Sequence, residues 1–124
     1  MKRDMDLVRN ILLEIENKDK GDGRWIEILI PEVDDKTLQE HLFLMFRSGL
    51  IEGNDGSTMS SREFLPKRLT WTGHDFIDSV RDPEIWRKTK ESANAAGGFT
   101  LELLGDIAKG LLKTQIKRLS GIDV

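Results

Sequence analysis

The sequence contains no cysteine, which excludes disulfides, thiolate metal sites and cysteine nucleophiles together. It also has no apolar run of the roughly 18 residues that a membrane helix needs. The opening Met-Lys-Arg-Asp is not followed by the apolar stretch of a secretory signal. We therefore expect a cytoplasmic protein.

The motifs that usually accompany catalysis are missing as well. There is no glycine-rich phosphate motif and no serine elbow. His74 and Asp78 are four residues apart, a spacing that can bring two ligands to one metal, with His41 as a third, yet such pairs are common by chance. Carboxylate pairs such as Asp75 and Asp78 have no identifiable nucleophile or base beside them. We predict no enzyme, no cofactor and no metal site.

The composition is that of a soluble globular protein. The 124 residues suffice for one domain with a core and are too few for two ordinary ones. Hydrophobic residues make up 38% and charged residues 33%, with the two signs interspersed. The formal net charge of −3 argues against binding nucleic acid through bulk charge, although a local basic face is compatible with it.

Periodicity predicts a helix, a strand and a second helix in the first part of the chain. Residues 4–18 place apolar side chains at helical spacing behind an N-cap at Asp4. Residues 25–30 alternate between two faces, which predicts a short strand at a sheet edge. Residues 34–48 return to helical spacing and end at Gly49. The second helix is predicted to bury Leu38, Leu42, Met45 and Phe46 and to turn Lys36, Gln39, Glu40, Phe43 and Arg47 outward.

A hairpin is predicted next. Leu50–Glu52 reads as a brief strand, and residues 53–61 form a polar loop rich in turn residues. The chain returns through Phe64, Leu69 and Trp71 as the second arm.

Three helices are predicted in the remainder. One begins at Thr72 with Asp75 as its capping-box partner. An Asp-Pro step marks a restart at Pro83, because proline fits the first helical position but damages a helix interior. A boundary at 95–98 precedes a last helix over 100–119. Because large aromatics dominate burial in a small domain, we expect a core around Trp71, Phe76, Ile85 and Trp86 rather than an aromatic binding platform.

Four stretches of the chain are distinctive in combination. They are Met-Lys-Arg-Asp-Met-Asp-Leu-Val-Arg at 1–9, Ser-Gly-Leu-Ile-Glu at 48–52, Leu-Thr-Trp-Thr-Gly-His-Asp-Phe at 69–76 and Gly-Gly-Phe-Thr-Leu at 97–101. Together they resemble an uncharacterised bacterial and phage family that is defined only as a domain of unknown function, and the resemblance spans nearly the whole chain. It implies a small winged-helix-like protein, often encoded by phages or integrated elements, and it implies no established activity.

The predicted fold class is α+β. The element order matches a winged-helix-like domain with a small antiparallel sheet and extra C-terminal helices, in which the loop after Leu50–Glu52 is the wing. We predict this domain over 1–96 and a C-terminal amphipathic helix over 97–124 that packs on the domain or mediates dimerisation. Ordinary winged helices place two helices where residues 19–33 offer only a turn and a strand, so DNA binding does not transfer simply.

Two function classes remain open. The preferred one is a protein-interaction module that binds an unidentified protein partner. The alternative is a transcriptional regulator that reads double-stranded DNA with the helix at 36–47 and the wing at 53–66. Its candidate contacts are Lys36, Gln39, Arg47, Arg62, Lys67 and Arg68. Against it, three carboxylates give the helix a net charge of −1, which would repel phosphate.

The last helix is the candidate interaction surface. Its wide apolar stripe contains Leu104, Ile107, Leu111, Leu112 and Ile116. We expect it to pack on the domain or to form a homodimer. A membrane-surface role is disfavoured, because Glu102 and Asp106 interrupt its first half and Phe99 is its only aromatic anchor.

Overall fold

The α+β class is confirmed by a computed structural model that describes residues 1–121. Over these residues the chain forms five α-helices and one two-stranded sheet. The elements are α1 Met5–Lys18, α2 Asp35–Arg47, β1 Ile51–Asp55, β2 Phe64–Leu69, α3 Trp71–Val80, α4 Pro83–Ala96 and α5 Leu101–Ser120. The chain divides into two compact units, Met1–His74 and Asp75–Val124, and the division falls within α3. The last three residues of the predicted segment 97–124 lie outside the described residues.

The core of the first unit is built on α1. Asp4 caps the helix, since its Oδ1 accepts hydrogen bonds from the backbone N–H groups of Asp6 and Leu7 at 3.0 and 3.2 Å. The helical spacing of the apolar side chains then directs one continuous face inward, and Ile11, Leu12 and Ile15 are fully buried. This face packs against β2 and α2.

The predicted hairpin is confirmed as β1 and β2. The strands pair antiparallel from Ile51 opposite Leu69 to Asp55 opposite Phe64. The register shifts after Glu52, because Glu52 faces Arg68 whereas Gly53 faces Pro66. Lys67 is thus the extra residue of a β-bulge.

The prediction of a strand at 25–30 is wrong, although the predicted alternation of buried and exposed side chains is right. Ile26 and Ile28 are buried while Trp25 and Leu29 are exposed, but the segment is extended chain without a ladder. Only Ile26 makes a backbone bond to β2, from its N–H to Pro66 O at 2.7 Å. Strand pairing stops there because Pro66 has no N–H group. The neighbouring outward N–H, that of Phe64, is already bonded to the side chain of Gln39 at 2.7 Å.

The predicted rotation of α2 is also wrong in part. Leu38, Leu42 and Met45 are buried as predicted, but so are Gln39 and Phe43, which were predicted to point outward. Phe46, predicted to be buried, is 43% exposed. The reason is that the hairpin covers α2 from a second side: the Phe43 and Phe64 rings meet edge to face with centroids 5.4 Å apart.

The corner from β2 into α3 depends on residues other than Trp71. The helix begins one residue before the predicted Thr72, and Thr70 caps it by accepting the Gly73 N–H on its hydroxyl at 2.9 Å. The same hydroxyl donates to Gly49 O at 2.5 Å, and the Thr70 N–H donates to Leu50 O at 3.0 Å. The expectation that Trp71 is core is wrong, since it is 83% exposed. Phe76, Ile85 and Trp86 are buried as predicted.

The second unit contains a helical hairpin of α4 and α5. Asp82 caps α4 ahead of Pro83, and Gly97 ends it in the left-handed conformation at φ 90°, which costs glycine little. Thr100 then caps α5 through the Leu103 N–H at 3.0 Å. The predicted restart at Pro83 and the boundary at 95–98 are confirmed. With 20 residues against 14, α5 extends past α4 by about 9 Å at the rise of a helix.

Backbone strain is concentrated at Glu32, in the turn before α2. Its φ of 65° is the only positive value at a non-glycine residue within residues 1–121. Because glycine adopts this conformation without a Cβ penalty, we expect Glu32→Gly to raise the free energy of unfolding by about 0.5–1 kcal/mol. Urea denaturation followed by circular dichroism measures the change. Glu63→Gly, at a negative φ, should lower stability instead, and equal effects at both positions would contradict the assignment of strain.

Candidate functional site

The cations predicted to contact DNA are largely matched with carboxylates or an aromatic ring. Arg62 pairs with Glu40 of α2, and its guanidinium carbon lies 4.2 Å from the centre of the Phe43 ring. Arg68 donates to Glu52 across the hairpin at 2.9 Å. Arg62 therefore holds the loop against α2, whereas Arg68 connects the two strands of the hairpin.

The other three cations of the predicted set are dispersed. Lys36 is exposed in the first turn of α2, beside Asp35. Arg47 is exposed at the other end of that helix, with its guanidinium carbon 5.8 Å from the Phe43 ring centre. Lys67 is the half-buried bulge residue. The structure thus does not bring these cations together into one continuous basic strip.

Gln39, the polar member of the predicted set, faces the interior. Its Oε1 accepts the Phe64 N–H at 2.7 Å, and its Nε2 lies 3.5 Å from Asp35 Oδ1. Its side chain thereby satisfies a backbone donor that would otherwise be buried without a partner. Gln39 therefore has a structural role in this arrangement. To contact a DNA base, its side chain would first have to give up the hydrogen bond from the Phe64 N–H.

The exposed surface of α2 is small for a helix that reads a groove. Its exposed side chains are those of Asp35, Lys36, Phe46 and Arg47. They lie at the two ends of the helix, while the middle is covered by α1 and the hairpin. Direct readout normally uses three or four side chains from one face, usually near the helix N-terminus.

The shifted pKa values arise from local caps and pairs. Hydrogen bonds from Thr37 lower the pKa of the capping carboxyl of Asp34, and hydrogen bonds from Ser57 lower that of Asp55 in the hairpin loop. The hydrogen bond from Arg87 lowers the pKa of Glu84 on α4. All three carboxyls are solvent-exposed and serve helix or turn geometry, so these shifts do not mark a catalytic group.

The two histidines lie in different environments. His41 is buried, with Nδ1 2.8 Å from Thr37 O and Nε2 2.9 Å from the Asp4 backbone nitrogen. Since Thr37 O can only accept and the Asp4 N–H can only donate, the ring carries its proton on Nδ1. His74 is exposed, 3.8 Å from Glu16. Within residues 1–121, no three histidine, aspartate or glutamate side chains are grouped to hold a metal ion.

In the predicted interaction helix, α5, the apolar side chains are less buried toward the C-terminal end. Leu104 is fully buried, and Ile107, Leu111 and Leu112 are half-buried. Ile116 is 46% exposed and the following Leu119 is 77% exposed, both in the part that extends past α4. No helix in the described part of the chain is long and apolar enough to cross a membrane.

Comparison with known proteins places the chain in a family. The sequence model of a family described as "Hypothetical protein (DUF2513)" matches residues 2–99. The chain belongs to the DUF2513 family. An uncharacterized protein of Haemophilus influenzae is 30% identical over 119 residues, which cover 96% of this chain and 98% of that protein. No solved structure matches the chain.

Two of the four stretches that carried the resemblance to an uncharacterised family meet in the structure. Ser-Gly-Leu-Ile-Glu supplies the carbonyl groups of Gly49 and Leu50, and Leu-Thr-Trp-Thr-Gly-His supplies Thr70, which bonds to both. The family resemblance therefore includes a structural corner. Neither the description of the family nor the arrangement of the described residues indicates catalysis.

Sequence reasoning missed an apolar surface in the part of the chain matched by the DUF2513 model. Trp25 is 57% exposed and Leu29 is 64% exposed, on either side of Glu27 on one face of the extended segment. They border a cleft of about 190 Å³ between this segment, α2 and β2. The alternation at 25–30 did contain the signal, because it assigned two large apolar residues to the outward face.

Proposed function

We propose that this protein is a protein-interaction module that binds another protein through the end of α5. The observation that carries the proposal is the exposure of Ile116 and Leu119 on the part of α5 that extends past α4. Large apolar side chains that are exposed side by side on a helix are typical of surfaces that dock into a groove.

The charges of this helix end suggest the chemistry of the partner. Lys109, Lys113, Lys117 and Arg118 all fall within residues 109–121, which contain no aspartate or glutamate. Lysines at four-residue spacing share one side of the helix, next to the apolar stripe. We therefore propose a partner groove that is apolar at its centre and bordered by carboxylates. A second copy of the chain is a poorer partner, because two such helix ends would bring like charges together.

The alternative, a DNA-binding regulator, has weaker support. Arg62 in the predicted wing and Arg68 beside it are paired with Glu40 and Glu52, so phosphate would have to compete with carboxylates already in place. We nevertheless propose that the order of α1, extended segment, α2 and hairpin is a reduced winged helix. The loop at 56–63 takes the place of the wing, and this arrangement serves here as a scaffold.

The test compares capture of host proteins by three full-length chains. We expect Ile116→Asp with Leu119→Asp to abolish capture of a defined partner, because two carboxylates replace the apolar contact. Gly110→Asp with Thr114→Asp adds the same charge to the opposite side of the helix and should retain that partner. The wild-type interaction should also weaken with salt.

Two outcomes would contradict the proposal. One is equal capture by both double variants. The other is salt-sensitive binding of mixed duplex DNA by the wild type that survives Ile116→Asp with Leu119→Asp, since it would favour the regulator. Sedimentation velocity of the wild type shows directly whether the partner is a second copy.

A further inference from the structure

We propose that the cleft beside the extended segment is a second docking site. Its occupant is an extended segment of a partner protein in which one apolar side chain is flanked by lysine or arginine. The cleft lies within Met1–His74 and does not involve α5, so this site goes beyond the proposed function and either one can exist without the other.

The cleft exists because a third strand cannot continue beside β2. Ile26 bonds to Pro66 O, but Pro66 offers no N–H group in return, and the Phe64 N–H is bonded to Gln39. Beyond Ile26 the segment makes no further bond between backbone groups within the described part of the chain, and the Glu27 carbonyl accepts a hydrogen bond from Lys18 Nζ at 2.9 Å. Blocking of an edge in this way is a known protection against unwanted strand pairing. The space left between the segment and β2 is then open to a side chain rather than to a strand.

The floor and the size of the cleft favour one apolar anchor. Leu38, Leu42 and Phe64 line its inner side and are buried, while the exposed Trp25 and Leu29 border it, so apolar groups are available to an anchor beside the polar rim. Its volume of about 190 Å³ lies below the roughly 300 Å³ at which small-molecule pockets begin. Interface hot spots are side chains that fill well-packed, desolvated pockets, and a cleft of this size can take one leucine, methionine or phenylalanine side chain in that way.

The rim favours a basic neighbour for that anchor. Three lining residues are acidic, Glu27, Asp35 and Glu63, and none of the residues that line this cleft is a lysine or an arginine. None of the three carboxylates forms an ion pair within residues 1–121. Their charge is thus available to a partner's cations, which the exposed Trp25 ring can also contact face-on.

The first experiment selects a random peptide display library on the full-length chain. We expect enrichment of a central apolar residue flanked by lysine and arginine. A synthetic peptide of the enriched sequence is then titrated beside two analogues, one with the anchor changed to serine and one with its cations changed to glutamate. Each change should weaken binding at least about tenfold. In nitrogen-labelled protein, the Trp25 indole and the Gln39 amide signals should shift, while the Trp86 indole on α4 should not.

Matched variants locate the site. Glu27→Lys with Glu63→Lys should weaken the peptide about tenfold or more, because both exposed side chains line the rim. Glu102→Lys with Asp106→Lys makes the same change in net charge at exposed residues of α5, which do not line the cleft, and should alter binding less than about threefold. Likewise Leu29→Ser should weaken binding, whereas Met59→Ser, in the exposed hairpin loop, should not.

Failure of this site is distinguishable from failure of the α5 proposal. The inference is overturned if no basic and apolar sequence is enriched, if the glutamate analogue binds equally, or if both charge-reversed variants lose binding equally. Ile116→Asp with Leu119→Asp should leave peptide binding unchanged, because those residues do not line the cleft. Loss of peptide binding in that variant would assign the peptide to α5 and overturn the cleft site.

Discussion

Replacing Gly73 with alanine is expected to lower the free energy of unfolding by about 3 kcal/mol, the upper end of the usual cost of overpacking. A Cβ at this position would lie 2.1 Å from Leu50 O and 3.1 Å from Leu50 C. The obstacle is backbone, so no rotamer change can relieve the contact. Urea denaturation followed by circular dichroism measures the loss.

The corner around Gly73 has little freedom to move apart. The Leu50 carbonyl accepts the Thr70 N–H, and the Thr70 hydroxyl joins Gly49 O to the Gly73 N–H. Displacing α3 by enough to admit a methyl group would lengthen these bonds together. Thr70→Val should therefore also destabilise the protein, by about 1–2 kcal/mol for the cap and its bond to Gly49.

Two other glycines provide matched controls for Gly73→Ala. At Gly56 an added Cβ would meet Leu65 Cδ1 at 2.8 Å and Cγ at 2.9 Å, which belong to a side chain and not to the backbone, so the loss should be smaller. At Gly110, inside α5, nothing lies within 4 Å, and alanine should stabilise the helix by about 1 kcal/mol. If all three variants lost the same stability, the close approach of α3 to Leu50 would be wrong.

The parts of the fold that sequence predicted well depend on nearby residues. The caps at Asp4, Asp34, Asp82 and Thr100 need only a side chain and the next three backbone groups, and the Asp4 cap and the Asp-Pro helix start were both predicted. The hairpin follows from a polar turn region between two apolar stretches. Such signals are local, so they can be read without knowing which elements pack against each other.

The errors concern how elements face one another. Periodicity identified α2 but not its rotation, because the pattern cannot show that the hairpin covers Phe43 and leaves Phe46 at the edge. Trp71 was assigned to the core for its size, although the corner closes on the small residues Thr70 and Gly73 and turns the ring outward. A close backbone approach that only glycine permits has no hydrophobic signature.

The candidate sites were difficult to predict for the same reason, because their charge pairs and clefts depend on residues that are distant in sequence. Arg62 counted as a DNA contact until the fold placed it beside Glu40, more than twenty residues away in sequence. The apolar stripe of α5 was predicted, but its uncovered part depends on where α4 begins and ends. The cleft could not be predicted, since it depends on where Pro66 meets the extended segment and on the side-chain bond between Gln39 and the Phe64 backbone.

Replacing His41 with leucine is expected to lower the free energy of unfolding by about 2–3 kcal/mol, mainly through a backbone donor left without an acceptor. His41 is fully buried and connects α2 to the start of α1, since Nε2 accepts the Asp4 N–H and Nδ1 donates to Thr37 O. Leucine has similar bulk but neither bond. Thermal and urea unfolding measure the loss, and the Asp4 amide should exchange faster with solvent.

Two further variants separate the hydrogen bonds of His41 from its packing. His41→Gln can present an oxygen near the position of Nε2, so it should recover part of the Asp4 bond and lose less stability than His41→Leu. The same leucine substitution at the exposed His74 should change stability by no more than about 0.5 kcal/mol. If the two leucine variants were equally stable, or if the Asp4 amide exchanged at its original rate in His41→Leu, the imidazole would not be joining the two helices. A larger loss of stability in His41→Leu than in His74→Leu would establish that His41, a candidate metal ligand in the sequence, is a structural part of the core.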